Sequence, residues 1–513
     1  MKRLLKFILS RTFLFAVLIL LQLGLFFALT FQSSRLGPYV YWLLAVGCTL
    51  GILAVLERTD TNPAYKIMWM LIVLLMPVSG VLLYLLWGKR TIKPKSAVLL
   101  ADIERRARAA AAQDERAEAA LLAALPQVRP LCDYLVKTAG CPVYAATQTQ
   151  YFAMGQDFFP VFLDEVRRAR RCIFLEYFII QPGEMWDETL AVLKEKAAQG
   201  VDVRVIFDGV GSLFTLPTDY DAALRAAGIK CHSFNPVRFS WHPADYKMLN
   251  HRDHRKIAVI DGEVGFTGGL NFADEYINRK ARFGVWKDAA ILLRGPAVYG
   301  LTNTFLRAWA FVSGEKADFS QPRPALAFPG EEGFVQPYCD SPVDDENVSE
   351  SVYSTLIQRA KRYVYITTPY LIVDNELVTG LCLAAKSGVD VRIITPGIPD
   401  KWYVYYVTQS YYARLVRAGV RIYEYTPGFL HAKLYVCDDE VAVVGSANTD
   451  YRSLYLHFEN GCVCYGGPPV RDVKADFLRT VRESREVTLE AAQRVPLYKW
   501  LAQIFLRFFA PLM

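Results

Sequence analysis

Two short segments carry the residue types that phosphoryl chemistry needs. Residues 254–261 read His-Arg-Lys-Ile-Ala-Val-Ile-Asp, and residues 431–438 read His-Ala-Lys-Leu-Tyr-Val-Cys-Asp. Both fit His-x-Lys-x-x-x-x-Asp. Each is followed at the same offset by a small-residue and Asn element, Gly268-Gly269-Leu270-Asn271 in one and Gly445-Ser446-Ala447-Asn448 in the other. A phosphodiester is anionic and repels charged nucleophiles. A neutral imidazole can attack phosphorus and form a phospho-histidine, while a second, protonated imidazole supplies the leaving alcohol with its proton. Lys256 and Lys433, the amides of Asn271 and Asn448, and the backbone N–H groups around Gly269 and Ser446 then suit the non-bridging oxygens. With water as the incoming hydroxyl the result is hydrolysis; with an alcohol it is transfer.

Residues two apart on a strand share a face, so His254 with Lys256 and His431 with Lys433 are expected to point together. Asp261 and Asp438 complete the catalytic sets, His254, Lys256, Asp261 and His431, Lys433, Asp438. They fall where the apolar strand residues stop, and Gly262 after Asp261 is a turn signal, so their expected part is to support the loop or pair with a lysine. One His-x-Lys alone would read as a structural histidine; two complete sets inside a repeat do not.

The repeat extends well beyond the motifs. Cys172–Ile179 matches Tyr363–Tyr370, both strand-like. A helix then stops at Gly200 or Gly388 and a strand follows, Val201–Asp208 against Val389–Pro396. Asp374 is the expected N-cap of the second of these helices. Ala223–Cys231 matches Arg414–Ile422, again helix, Gly, strand. The alternation predicts a largely parallel sheet with helices on both faces in each half, two units packing face to face. The Pro-, Gly- and acid-rich stretch Ser313–Asn347 is the natural connector.

The 513 residues exceed one hydrophobic core. The hydrophobic fraction of 53% is high for a soluble chain, and the excess lies in three N-terminal apolar runs, Thr12–Phe31, Tyr39–Leu56 and Ile67–Trp87. Each has, or nearly has, the length to cross about 30 Å of hydrocarbon, and the first is too long for a cleaved signal peptide. Lys2, Arg3, Lys6 and Arg11 precede the runs and Lys89, Arg90, Lys93 and Lys95 follow them. Both flanks thus ask for the cytoplasm, which three full spans would not allow; the catalytic part is placed in the cytoplasm. Ala101–Leu125 reads as a solvated helix, and Tyr498–Met513 as an amphipathic segment lying on the membrane. The expected divisions are 1–95 for the membrane region, 96–130 for a helical linker, 131–315 for the first catalytic domain, 316–347 for an inter-domain linker, 348–490 for the second catalytic domain and 491–513 for the amphipathic end. The net charge of +7 suits an anionic partner, and the apolar runs favour lipid over nucleic acid. Ten cysteines without a Cys-x-x-Cys pair read as reduced thiols, with Cys462 and Cys464 sharing one strand face. No cofactor is expected, and no histidine pair has zinc-ligand spacing beside cysteines.

The pattern resembles the phospholipase D superfamily with its paired His-Lys-Asp motifs, over roughly residues 130–490. It is similar, more narrowly, to bacterial cardiolipin synthases. Asn62-Pro63 through Trp69, Pro77, Gly80, Tyr84 and Gly88 looks like their membrane region, and Ala510-Pro511-Leu512 like their ending. Thr368-Pro369-Tyr370, Phe429-Leu430-His431-Ala432-Lys433 and Asn448–Ser453 look like their second catalytic half. The resemblance implies an α/β fold: N-terminal transmembrane helices, then two pseudo-symmetric phospholipase D-like α-β-α sandwich domains around one active site. It implies a multi-pass protein of the bacterial cell membrane. Two phosphatidylglycerols would give cardiolipin and glycerol through a phosphatidyl-histidine, with anionic membrane lipid as the partner. It assigns His254 as nucleophile and His431 as general acid then base, an order the residues alone leave symmetric. It also implies that Asp288 and Glu459 orient the two histidines. A phospholipase D-type hydrolase and a phosphatidylserine synthase of the same fold stay open as alternatives. Asp253 and His457 depart from the family's usual Asn at those positions; the first is expected to pair with Arg252 or Arg255 or to raise the pKa of His254, the second to keep a hydrogen-bonding role. There is also one apolar run more than the family's usual two spans.

Overall fold

The structure, a computed structural model, describes residues 37–57, 62–88, 94–111, 113–236, 250–320, 322–344 and 346–513. The described residues divide into two compact units, one within residues 1–93 and the other within residues 94–236 and 250–513.

Within the first unit, the described residues form helices Gly37–Leu56, Pro63–Leu75 and Pro77–Leu83 and a wide helical turn Tyr84–Gly88. Asn62 starts the second helix by accepting from Ala64 N at 3.0 Å, with Pro63 at the first helical position. The third expected apolar run is not one continuous helix. Pro77 lacks an N–H and disfavours helical geometry at Met76, which sits at φ −132° and ψ 75°. The pieces fold back on one another, with Tyr84 Oη donating to Ala54 O at 3.1 Å and the Trp69 and Tyr84 rings 5.5 Å apart. Among the described residues no helix combines the length and apolarity of a membrane span. The nearest is Gly37–Leu56, twenty residues without a charged side chain, on which Trp42 and Leu43 are exposed. The run Thr12–Phe31 lies outside the described residues.

In the second unit two sheets repeat one plan. The first half contains β1 (Gln148–Phe152), β2 (Cys172–Tyr177), β3 (Asp202–Asp208), β4 (Lys230–Phe234), β5 (Arg252–Asp253), β6 (Lys256–Ile260), β7 (Val264–Gly268), β8 (Val285–Lys287) and β9 (Ala290–Arg294). The second contains β10 (Phe334–Asp340), β11 (Tyr363–Thr367), β12 (Leu371–Ile372), β13 (Asp390–Pro396), β14 (Arg421–Tyr425), β15 (Gly428–Leu430), β16 (Leu434–Cys437), β17 (Val441–Gly445), β18 (Thr449–Asp450), β19 (His457–Tyr465) and β20 (Ser484–Glu486). The first sheet runs β1-β9-β7-β6-β2-β3-β4, and the second β10-β19-β17-β16-β11-β13-β14-β20. Strand for strand they correspond, apart from the extra edge strand β20.

Only β2, β3 and β4, and likewise β11, β13 and β14, run parallel; the other neighbours along both sheets are antiparallel. This corrects the expected largely parallel sheets to mixed ones. The cause is local. Asp261 and Gly262 have φ of 56° and 71°, and Asp438 and Asp439 of 56° and 63°. Two left-handed residues in a row make the tight hairpin turn that sends β7 and β17 back beside their predecessors.

The central strands are buried on both faces, which is why they read as unbroken apolar runs. In β6 the alternation still sorts two cores: Ile257 and Val259 face a core shared with the second sheet, while Ala258 and Ile260 face the outer core of the first half. The shared core holds Phe305 and Trp309 of helix Val298–Ser313 together with Leu434, Val444 and Phe477. The expected solvated helix at 101–125 is instead two helices, Pro94–Ala110 and Glu115–Ala124, with Asp114 capping the second. Its Ile103 and Ala107 are buried, and Asn303 Nδ2 donates to Ala107 O at 3.0 Å. One apolar stripe on an Ala-rich helix was enough to bind it to the domain. The connector likewise contains β10, which pairs along its length with β19. Asp374 caps its helix as expected, accepting from Leu377 N at 3.0 Å.

Candidate active site

Each motif enters the site through a backbone exchange between the two halves. Residues 252–253 pair in parallel with His457 and Phe458, and Gly428–Leu430 pair in parallel with Val285–Lys287. His254 N donates to Phe458 O at 2.9 Å, and His431 N donates to Lys287 O at 2.7 Å. The chain therefore passes from pairing with the opposite half to pairing within its own sheet between β5 and β6, and again between β15 and β16. The histidines sit in these crossings, just ahead of the motif strands and not within them as the sequence suggested.

The orienting carboxylates cross in the same way. His254 Nδ1 lies 2.9 and 3.0 Å from the two carboxylate oxygens of Glu459, in the opposite half. His431 Nδ1 lies 2.6 Å from Asp288 Oδ2, again in the opposite half. A carboxylate on Nδ1 leaves Nε2 as the free, nucleophilic nitrogen. Both carboxylates are fully buried, and neither histidine is more than 7% exposed. Burial would raise the Glu459 pKa, but His254 and its other donors outweigh that and hold it well below the usual range. Burial acts the same way on Asp288, and His431 and Lys433 bring it below normal. Burial drives both imidazoles down to about 4, against the opposing pull of their carboxylates.

Lys256 Nζ donates to His254 O, and Lys433 Nζ to His431 O. Lys433 Nζ also lies 2.9 Å from His431 Nδ1; since that nitrogen gives its proton to Asp288, the lysine's proton goes to the carbonyl. Burial lowers Lys256 to about 7 and Lys433 to about 8. Each lysine's charge also bears on the other motif's imidazole and lowers its pKa further.

Asp261 and Asp438 support the loops at the strand ends, as expected of them, and do not pair with the motif lysines. Asp261 Oδ1 accepts from the N–H groups of Arg170, Arg171 and Cys172 at 3.1, 2.6 and 2.9 Å. Asp438 accepts from those of Lys361, Arg362 and Tyr363 at 2.7, 2.8 and 2.9 Å. Both close the far end of the motif strand onto the start of β2 or β11. Gly269 and Ser446 stand behind the carboxylates: a Cβ at Gly269 would come within 2.1 Å of Asp288 Oδ1, and Ser446 Oγ donates to Glu459 Oε2 at 2.5 Å. Asn271 accepts from Ile179 N at 3.1 Å and donates to Tyr276 Oη at 2.7 Å. Asn448 Nδ2 donates to Asp450 at 3.1 Å, and its Oδ1 is buried without a partner. Asp253 pairs with Arg255 Nε at 2.8 Å and leaves His254 to Glu459.

Several residues escaped sequence reasoning. Lys287 Nζ and Asp476 form a buried ion pair at 2.8 Å that pins the halves beside Asp288. Phe178 packs 4.9 Å from the His254 ring, and Tyr276 and Trp286 pack 5.6 and 5.5 Å from the His431 ring. Arg452 Nε donates to His457 Nε2 at 3.3 Å. None of these has a repeat partner of like chemistry to mark it. His254, His457 and Glu459 offer ligand atoms within 4.8 Å of one another, the spacing of a metal site. Two lysines and Arg452 close by make the pocket better suited to an anion.

A family described as cardiolipin synthase, PLD-like domain, matches residues 162–309 and 353–481. One described as phospholipase D-nuclease N-terminal matches residues 40–89. An uncharacterised protein of Streptococcus mutans is 40% identical over 472 residues, 90% of this chain and all of that protein. The cardiolipin synthase of Geobacillus kaustophilus is 35% identical over 505 residues, 97% of this chain and 99% of that enzyme. The crystal structure of phosphatidylserine synthase from Haemophilus influenzae covers 71% of this chain and 92% of its own at a TM-score of 0.52 and 14% identity, a likeness of fold. Two crossed histidine–carboxylate pairs in duplicated mixed sheets, and relatives aligned over nearly the whole length, place this chain in the cardiolipin synthase family of phospholipase D-like proteins.

Proposed function

We propose that this chain is a membrane-bound phosphatidyltransferase that converts two phosphatidylglycerol molecules to cardiolipin and glycerol. The observation that carries the reading is the crossed pairing: each imidazole is held through Nδ1 by a carboxylate of the other half, so both Nε2 atoms are free for substrate. His254 Nε2 attacks phosphorus, the bond from phosphorus to the glycerol headgroup oxygen breaks, and His431, protonated at Nε2, gives that oxygen its proton. The phosphatidyl group then rests on His254. His431 next takes the proton of a hydroxyl on a second phosphatidylglycerol, whose oxygen attacks phosphorus and releases His254. Glu459 and Asp288 hold the rings and stabilise each positive charge as it forms. Lys256, Lys433 and the remaining amide protons of Asn271 and Asn448 face the phosphate oxygens. Burial alone leaves both imidazoles neutral at pH 7; an anionic phosphodiester between them raises the pKa of His431 into the acid's range.

Membrane attachment rests on exposed apolar surface. Leu497, Trp500, Leu501, Ile504 and Phe505 line one exposed face of helix Leu497–Phe508, which suits an interfacial helix, and Trp42 and Leu43 are exposed on the uncharged helix Gly37–Leu56. The basic residues flanking the N-terminal apolar runs favour a catalytic unit on the cytoplasmic side of the bacterial membrane.

The test is purified full-length chain in vesicles whose only reactive lipid is phosphatidylglycerol. Cardiolipin with equimolar glycerol is the expected result. Phosphatidic acid as sole product would make the chain a hydrolase. Preferential capture of added serine would make it a phosphatidylserine synthase.

A further inference from the structure

Glu459 is held by more than its histidine. Ser446 Oγ donates to its Oε2 at 2.5 Å, and His457 Nδ1 stands 3.6 Å from its Oε1, the oxygen that His254 Nδ1 meets at 2.9 Å. His457 is buried, and its Nδ1 has no hydrogen-bond partner. Its other nitrogen is committed, because Arg452 Nε donates to Nε2 at 3.3 Å. A guanidinium has no lone pair to offer, so Nε2 must accept, and the proton of the neutral ring is fixed on Nδ1, facing Glu459. Arg452 is braced in turn: its N–H donates to Met513 O at 2.9 Å and its Nη1 to Leu512 O at 3.2 Å. On the other side, among the described residues Asp288 receives its side-chain hydrogen bond from His431 alone, alongside the adjacent N–H of Ala289 at 2.8 Å.

We propose that His457, with its tautomer fixed by Arg452, is a positioning residue that aims an N–H at Glu459 and so keeps the nucleophilic His254 neutral and in place. The inference rests on the proposed phosphatidyl transfer and adds the residue that makes its two imidazoles unequal. A carboxylate that receives further N–H and O–H donors is a weaker base, and it draws the Nδ1 proton of His254 less strongly. The groups facing His254 are Glu459, Lys256, Lys433 and His457; those facing His457 are Glu459, Arg452 and His254. Of these, Glu459 favours the protonated His254 and the cations disfavour it. Removing the N–H that faces Glu459 strengthens the carboxylate's pull on the His254 proton, so the pKa of His254 rises.

The test compares unaltered full-length chain with His457→Phe, His457→Asn and Arg452→Met, measuring kcat/KM for phosphatidylglycerol vesicles from pH 4 to 9. His457→Phe should move the acidic limb upward by about one pH unit, a tenfold change in proton concentration, and lower kcat/KM below that limb by about tenfold more than at neutral pH. His457→Asn, whose amide reaches where Nδ1 stood, should bring the limb back toward its original position. Arg452→Met should move the limb in the same direction as Phe, by less, and it decides the matter if the Phe variant does not fold. Acidic limbs that coincide in all variants, or an Asn variant shifted as far as Phe, would overturn the inference. If the unaltered chain itself made no cardiolipin, the proposed function would fail instead.

Discussion

The two arms of the active site are copies in topology and differ in chemistry. In both, a histidine rides a backbone crossing between the halves, a carboxylate of the opposite half accepts a hydrogen bond from its Nδ1, and a lysine two residues on turns back to its carbonyl. Around His254, the carboxylate is Glu459, steadied by Ser446 and faced by His457. Around His431, it is Asp288, seated against Gly269, with Lys433 at 2.9 Å from the imidazole nitrogen itself. Duplication supplies two like imidazoles; what surrounds the carboxylates makes them unequal, as the proposed division into nucleophile and proton carrier requires.

The largest expected effect concerns what the arms share. His254→Ala and His431→Ala should each lower turnover by roughly 10⁴–10⁶-fold, because residues that act as a unit fail together. The double variant should be little worse than either, measured as cardiolipin formed per hour. Independent, multiplicative losses would mean two separate sites. Next come the carboxylates. Glu459→Gln and Asp288→Asn should each cost about 10²–10⁴-fold in kcat, with the Asp288 change the more severe because it leaves His431 beside Lys433 with no acid to oppose it. Equal losses would remove the claimed asymmetry. A smaller effect is expected in pH dependence. Lys256 is lowered to about 7 and Lys433 to about 8 by burial, so kcat/KM should decline as pH rises through that range and the phosphate-holding charges are lost. Bound phosphodiester raises both, so the decline in kcat should begin at higher pH. The smallest effect on chemistry belongs to Asp261→Ala and Asp438→Ala. Each releases three backbone N–H groups at a strand end and should lower stability by about 3 kcal/mol. Calorimetry should show a reduced Tm, while the folded fraction keeps a nearly normal kcat.

The sequence revealed the site through repetition. Two His-x-Lys sets at one offset from matched small-residue and Asn elements, inside three matched blocks, are legible because each half vouches for the other. What lay outside the repeat was harder to read. Periodicity shows which residues share a strand face, but not that Asp288 turns to His431 and Glu459 to His254, because that depends on how two sheets meet. The alternation of elements points to parallel strands where two turn residues with positive φ convert a crossover into a hairpin, and Asp261-Gly262 is itself a turn signal. The edge strands β1 and β10 have polar or Pro-containing sequences, Gln-Thr-Gln-Tyr-Phe and Phe-Val-Gln-Pro-Tyr-Cys-Asp, and owe their extended form to β9 and β19. His457 was visible as an unexpected histidine, but Arg452, which fixes its tautomer, becomes meaningful only in three dimensions. Cys462 and Cys464 share a face as expected, their sulfurs 4.0 Å apart and unbonded.

The most direct test of one shared site is to follow the phosphorus. Phosphatidylglycerol labelled at phosphate is mixed with the chain, quenched during turnover, and the peptides are mapped for acid-labile label. The account predicts label on the peptide carrying His254, none in His254→Ala, and none transferred to His431 in any variant. Label on both histidines, or cardiolipin synthesis persisting in His254→Ala, would contradict it.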